Sequence, residues 1–64
     1  MCQMNVLLEH DGEQEKIMDN VARLEVTGEG ILISALFEEP KLVKSAWIKI
    51  IDVQGGTITL NNKV

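Results

Sequence analysis

The sequence predicts an all-β fold, a small barrel or rolled sheet of five to seven short antiparallel strands. Two observations support this prediction. Apolar residues recur in short alternating runs separated by turns that contain glycine, and no stretch of ten or more residues combines the 3.6-residue period of a helix with capping residues. The length of 64 residues is enough for one domain, so we expect residues 1–64 to form a single domain.

The first half of the chain supplies four predicted strands. The first covers residues 3–8, and the two-residue period of a strand places four side chains on one face: Cys2, Met4, Val6 and Leu8. A turn at residues 10–12 leads to a short strand at residues 16–18. Residues 22–26 alternate between apolar and polar side chains, which indicates a half-buried strand with three apolar members: Ala22, Leu24 and Val26. After a glycine turn, the apolar residues 31–37 form a predicted central strand.

The second half of the chain supplies the remaining strands. Residues 38–40 are expected to end the central strand, because proline cannot donate a hydrogen bond to a sheet. Residues 41–44 form a weaker strand, which we expect at an edge with its lysines turned to solvent. Residues 47–53 and 57–60 are two more strands, joined by a turn at Gly55-Gly56.

Composition and charge exclude several classes of protein. The chain has six basic and ten acidic residues, and this balance opposes a general nucleic-acid binder. The charge is uneven, because residues 9–39 carry nine acidic and two basic side chains whereas residues 40–64 carry one acidic and four basic ones. No apolar run approaches the roughly 18 residues of a membrane span, and no basic segment of a secretory signal is present. The single cysteine fits a reducing compartment, so we expect a cytoplasmic protein.

Few side chains are available for catalysis. The chain has one histidine, one cysteine, one arginine and no tyrosine. Cys2 and His10 lie on the same predicted strand, where an extended chain would separate them by roughly 26 Å. The acidic run at residues 9–15 is interpreted as a solvated loop, and residues 28–30 lack the third glycine of a phosphate-binding loop. We therefore do not predict an enzyme.

Cys2 is the residue with the most distinctive chemistry. Removal of Met1 would leave Cys2 as the amino-terminal residue, whose thiolate and amine can close a five-membered chelate on a metal ion. The backbone nitrogen of Gln3, once deprotonated, would be a neighbouring donor. Nitrogen and sulfur donors in one plane suit Ni(II) or Cu(II), and two such termini at a two-fold axis would complete a four-coordinate site. The alternative interpretation is an inert cysteine that acts as a small hydrophobic residue.

Five segments in a fixed order resemble the CooT family of small nickel-binding proteins. They are Met1-Cys2-Gln3 and residues 17–21, 36–39, 48–53 and 57–60. The resemblance covers essentially the whole chain, and it implies that Cys2 binds Ni(II) at a homodimer. It also implies an accessory role in delivering nickel to carbon monoxide dehydrogenase or another nickel enzyme. The chain lacks the histidine-rich tail of several nickel storage chaperones, and it departs from the family's usual sequence at Pro40.

A small RNA-binding module is the alternative function, since some members of that family resemble predicted RNA-binding proteins. Its phosphate contacts would be Lys41, Lys44 and Lys49. The negative net charge and the lack of an aromatic stacking platform favour a solvated edge instead. His10 is a possible further nickel ligand but suits a surface turn, and Trp47 is expected in the core or at a dimer contact.

Overall fold

The computed structural model describes residues 3–62, and all its regular elements are strands. They are β1 (Asn5–His10), β2 (Glu13–Met18), β3 (Val21–Thr27), β4 (Gly30–Ala35), β5 (Glu38–Lys44), β6 (Trp47–Asp52) and β7 (Thr57–Asn61). The predicted all-β fold class is therefore confirmed, at the upper end of the expected number of strands. Within residues 3–62 there is no helix long and apolar enough to cross a membrane.

The seven strands form two sheets. One has four strands in the order β2-β1-β7-β6, and the other has three in the order β3-β4-β5. This arrangement is a rolled sheet and not a closed barrel. Neighbouring strands are antiparallel with one exception within the described residues, because β1 and β7 run parallel with Asn5 opposite Thr57. The parallel pair differs from the predicted antiparallel order, and it joins the first strand of the chain to the last.

The hydrophobic core takes its buried side chains from both sheets. They are Val6, Met18 and Leu60 from the four-stranded sheet and Ile31 and Ile33 from the three-stranded sheet. Burying one such side chain contributes about 1.5–3 kcal/mol to folding. Val6 is fully buried and Leu8 packs against the core, as the alternation in the first strand predicted. Cys2, predicted for the same face, lies outside the described residues.

The predicted inward face of the third strand is partly wrong. Leu24 packs against the core, but Ala22 is exposed and the side chain of Val26 is 67% exposed. Two features explain the difference. A register shift between Val21 and Arg23 interrupts the regular alternation, and β3 is an edge strand of its sheet.

The predicted strand break at residues 38–40 is also wrong. The central strand β4 ends at Ala35, Leu36 and Phe37 form the turn, and Pro40 lies inside β5. The proline is tolerated because β5 is an edge strand, as expected for residues 41–44, and because the register shifts between Ile33 and Ala35 opposite it.

The paired strands begin and end at two opposite ends of the molecule, where the turns also lie. We call the end where the described chain begins the proximal end, and it contains residues 3–5, 19–22, 35–38 and 52–57. We call the other end the distal end, and it contains residues 9–13, 27–30, 44–47 and 61. The molecule measures 33 × 23 × 15 Å along its principal axes.

Candidate metal centre

Gln3, one of the two predicted metal-binding residues, lies at the proximal end just before β1. It is exposed, and its carbonyl oxygen lies so close to Gly56 that a Cβ on that glycine would come within 2.8 Å of it. Gly56 has a φ of 75°, a backbone conformation that favours glycine. Cys2, the other predicted ligand, lies outside the described residues.

Backbone hydrogen bonds fix the chain immediately after Gln3. The N–H of Asn5 donates to the carbonyl of Gly56 at 2.9 Å, and the N–H of Val21 donates to the carbonyl of Met4 at 2.8 Å. The first bond ties β1 to the turn between β6 and β7, and the second ties it to the start of β3. Because donor and acceptor are backbone groups in both bonds, these two bonds fix the path of the chain into β1 whatever side chains are present.

Asp52 organises the turn that receives the start of β1. Its carbonyl accepts the N–H of Gly56 at 2.8 Å, and its side-chain Oδ1 accepts the N–H of Gly55 at 2.8 Å. Both bonds hold Gly56 in place beneath Gln3 and Asn5. Sequence reasoning identified the two glycines only as a turn and missed the supporting carboxylate, although an aspartate shortly before a Gly-Gly pair is a recognised turn signal.

Within residues 3–62, no group of three or more histidine, cysteine, aspartate or glutamate side chains could hold a metal ion. His10 lies at the distal end of β1, roughly 23 Å along an extended strand from Gln3. Met18 is only 5% exposed and fills the core, so its thioether is not available to a metal at the surface. The structure therefore brings none of these side chains to Gln3.

The three lysines of the RNA-binding alternative do not share one surface. Lys41 and Lys44 are exposed on β5, and the uninterrupted register between them directs their side chains to opposite faces of the sheet. Lys49 belongs to β6 in the other sheet and forms an ion pair with Glu9. The hydrogen bond and the charge of Lys49 hold the pKa of the Glu9 carboxyl below its usual value.

Several large apolar side chains are exposed to solvent. Phe37 is 97% exposed and Leu36 is 81% exposed at the tip of the β4–β5 hairpin, although the sequence predicted both inside a central strand. Trp47 is 47% exposed on β6 and does not belong to the buried core cluster. The most exposed apolar pair is therefore at the proximal end, where Gln3 lies.

Comparison with known proteins gives two positive findings. Residues 1–61 match the family model described as CO dehydrogenase accessory protein CooT. The fold is similar to the crystal structure of a candidate CooT from Carboxydothermus hydrogenoformans, with a TM-score of 0.85 and 24% sequence identity over 98% of this chain and 100% of that chain. At this identity the second likeness concerns the fold. No curated protein matches the chain.

Proposed function

The chain belongs to the CooT family of CO dehydrogenase accessory proteins, and from this premise we propose that it binds Ni(II) through Cys2 for delivery to that enzyme. An accessory protein is not itself the catalyst, which confirms the expectation that the chain is not an enzyme. We further propose that the chain works as a homodimer in the cytoplasm, with the backbone nitrogen of Gln3 as a neighbouring metal donor.

The observation that carries this proposal is the exposed position of Gln3 at the end of a fixed backbone. Gln3 is exposed, so the start of the described chain is accessible to a metal ion and to a second copy of the chain. The thiolate and one nitrogen, either the amine or the deprotonated amide, give two donors per chain, and nitrogen and sulfur donors of this kind suit square-planar Ni(II).

A second copy of the chain supplies the remaining donors in this proposal. Residues 3–62 contain no cluster of metal-binding side chains that could complete the coordination. Two-fold symmetry brings identical groups together, so one residue type at a terminus is enough to give two sulfur donors. Because the thiol and amine must lose protons before they bind, metal capture should release protons.

Variants at positions 2 and 3 test the donor set. Cys2→Ala and Cys2→Ser should abolish nickel binding in calorimetry and remove the thiolate-to-nickel charge-transfer absorption, while the circular dichroism of the fold is unchanged. Gln3→Ala should bind nickel like the wild type because it keeps the backbone amide, whereas Gln3→Pro should bind more weakly because it has no amide hydrogen to lose. Wild-type affinity in Cys2→Ala would show that the site is assigned wrongly.

Native mass spectrometry with and without Ni(II) tests the stoichiometry. We expect a mass that lacks Met1, a dimer, and one nickel ion per dimer. A monomer that holds nickel, or a dimer with two independent ions, would contradict the shared site.

A further inference from the structure

The tip of the β4–β5 hairpin carries an apolar pair followed by two acids. We call Leu36, Phe37, Glu38 and Glu39 the hairpin tip. Phe37 is 97% exposed and Leu36 is 81% exposed, so neither contributes appreciably to the core. An exposed aromatic side chain at a projecting turn can fill a pocket on a partner, and residues of this kind dominate many protein interfaces.

The composition of the hairpin tip is not explained by its turn geometry. Two-residue hairpin turns usually carry asparagine, aspartate or glycine. The β1–β2 turn follows this preference, since Asp11 and Gly12 adopt φ values of 54° and 80°. Leu36 and Phe37 have no positive φ, so the backbone there accepts many residues, including polar ones. An apolar pair at this place lowers solubility without stabilising the fold, which points to a use in binding.

The two carboxylates of the hairpin tip are available to a partner. Glu38 and Glu39 are both exposed. The three ion pairs within residues 3–62 use other carboxylates, those of Glu9, Asp19 and Glu25. The hairpin tip therefore combines an apolar centre with uncompensated negative charge.

The hairpin tip lies at the same end of the molecule as Gln3. Met4 accepts a backbone hydrogen bond from Val21, Val21 lies opposite Ala35, and Ala35 lies opposite Glu38. Neighbouring strands are about 4.8 Å apart, so two strand spacings, about 10 Å, separate Val21 from the far side of the hairpin. A protein that contacts the hairpin tip would therefore be close to the start of the chain.

We propose that the hairpin tip is the docking site for the protein that receives the metal, and that the receiving surface is an apolar pocket bordered by lysine or arginine. This inference rests on the proposed function, which makes CO dehydrogenase the receiver. A second copy of the chain is a poorer occupant, because tip-to-tip contact would bring identical carboxylates together and the chain as a whole carries a net charge of −4. The same charge opposes anionic membranes and nucleic acids.

Binding to purified, nickel-free CO dehydrogenase tests the proposal by biolayer interferometry. Wild-type protein should bind, and Phe37→Ala should weaken the affinity at least tenfold. Val26→Ala is the matched control, because Val26 is an apolar residue that is 67% exposed on β3, away from the proximal end, and it should bind like the wild type. The double variant Glu38→Lys, Glu39→Lys should bind about tenfold more weakly at low salt, with a smaller difference at high salt.

Two further measurements separate docking from metal binding. Phe37→Ala should keep wild-type nickel affinity, and Cys2→Ala should dock like the wild type even though it binds no nickel. Loss of docking in Cys2→Ala, absence of binding by the wild type, or equal binding by Phe37→Ala would each overturn the docking proposal. Sedimentation velocity supplies the remaining test, because conversion of a dimer to a monomer by Phe37→Ala would assign the tip to a second copy and also overturn it.

Discussion

The two ends of the molecule differ in how far they depend on backbone and on side-chain interactions. At the proximal end, backbone hydrogen bonds join Asn5 to Gly56 and Val21 to Met4, and Asp52 supports the turn. The most exposed apolar side chains of this end, at the hairpin tip, take no part in these bonds. The proximal end therefore keeps its backbone geometry while its side chains face solvent.

The distal end depends more on side chains and close packing. The hydroxyl of Thr27 donates to the carbonyl of Gly30 at 3.0 Å and accepts the N–H groups of Glu29 at 3.3 Å and Gly30 at 3.2 Å. Gly30 is buried against β5, and the Glu9–Lys49 ion pair joins β1 to β6 across β7. Substitutions here act directly on stability.

In this 64-residue chain, the residues that stabilise the fold and the residues available for binding lie largely at different ends. Core and distal contacts stabilise the fold, and backbone bonding at the proximal end does not require the exposed side chains of the hairpin tip, which can therefore serve other roles. If this division is correct, substitutions at the distal end should lower stability, whereas comparable changes at the proximal end should alter local geometry or binding.

Gly30→Ala should have the largest effect on stability. A Cβ at Gly30 would lie 2.1 Å from the carbonyl oxygen of Val43 and 2.9 Å from the Cα of Lys44, and the φ of Gly30 is 153°. Both neighbours are backbone atoms of β5, so the two strands would have to separate. We expect a loss of about 4 kcal/mol of unfolding free energy, a large share of the total for a domain of this size. Urea denaturation measures this loss.

Gly28→Ala is the matched control for that experiment. No atom lies within 4 Å of a Cβ at Gly28. The control should therefore stay within about 0.5 kcal/mol of the wild type. Similar losses for both variants would mean that backbone entropy, and not the clash with β5, determines the effect.

Much of the fold could be predicted from the sequence because its signals are local. Alternation, apolar runs and turn signals together indicated all seven strands, and the burial of Val6 followed from the two-residue period. The acidic run at residues 9–15 was wrongly interpreted as a loop, because most of it belongs to β1 and β2. The parallel pairing of β1 with β7 and the exposure of Val26 could not be predicted in this way. Both depend on which strands lie side by side, and that is decided by tertiary packing.

Less of the candidate site than of the fold could be predicted from the sequence. The chemistry of Cys2 and Gln3 identified the possible donors. The close approach of the Gln3 carbonyl to Gly56 could not be predicted, because the two residues are more than fifty positions apart in the sequence. The apolar run that ends at Phe37 predicted a strand, because hydrophobicity alone cannot distinguish a buried strand end from an exposed turn. Only the pairing of Ala35 with Glu38 places Phe37 in solvent.

Gly56→Ala should have an intermediate effect at the proximal end. The φ of Gly56 is 75°, and a Cβ there would lie 2.8 Å from the carbonyl oxygen of Gln3. The left-handed conformation costs alanine about 1–2 kcal/mol, and the contact would also displace the chain before β1. We expect a total loss of about 2 kcal/mol together with reduced hydrogen-exchange protection of the Asn5 amide, which bonds to Gly56.

Gly12→Ala is the matched control at the distal end. Its φ is 80°, but no atom lies within 4 Å of its Cβ position. It should therefore show the conformational cost alone, and the Asn5 amide should stay protected. If Gly12→Ala deprotected Asn5 equally, the effect would reflect global destabilisation and not the contact with Gln3.

Neutralising Glu9 should have the smallest effect, and a pH-dependent one. The hydrogen bond from Lys49 lowers the pKa of Glu9 in the folded state. A lowered carboxyl pKa stabilises the fold above the unfolded value of about 4.3, and this contribution disappears as the pH falls through the folded pKa. Because the side chains of Glu9 and Lys49 are 22% and 41% exposed, the effect should be small and should weaken with added salt.

Urea denaturation over the acidic range measures this contribution. Glu9→Gln should be less stable than the wild type near neutral pH, and the two proteins should converge as acid protonates Glu9. In a Lys49→Met background the same substitution should have a smaller effect, since Lys49 is the main group that lowers the pKa of Glu9, while hydrogen bonds from Gln14 and Asn61 contribute less. An undiminished effect of Glu9→Gln in the Lys49→Met background would contradict the ion pair as the main cause, and the Glu9–Lys49 pair would then no longer distinguish the distal end from the proximal one.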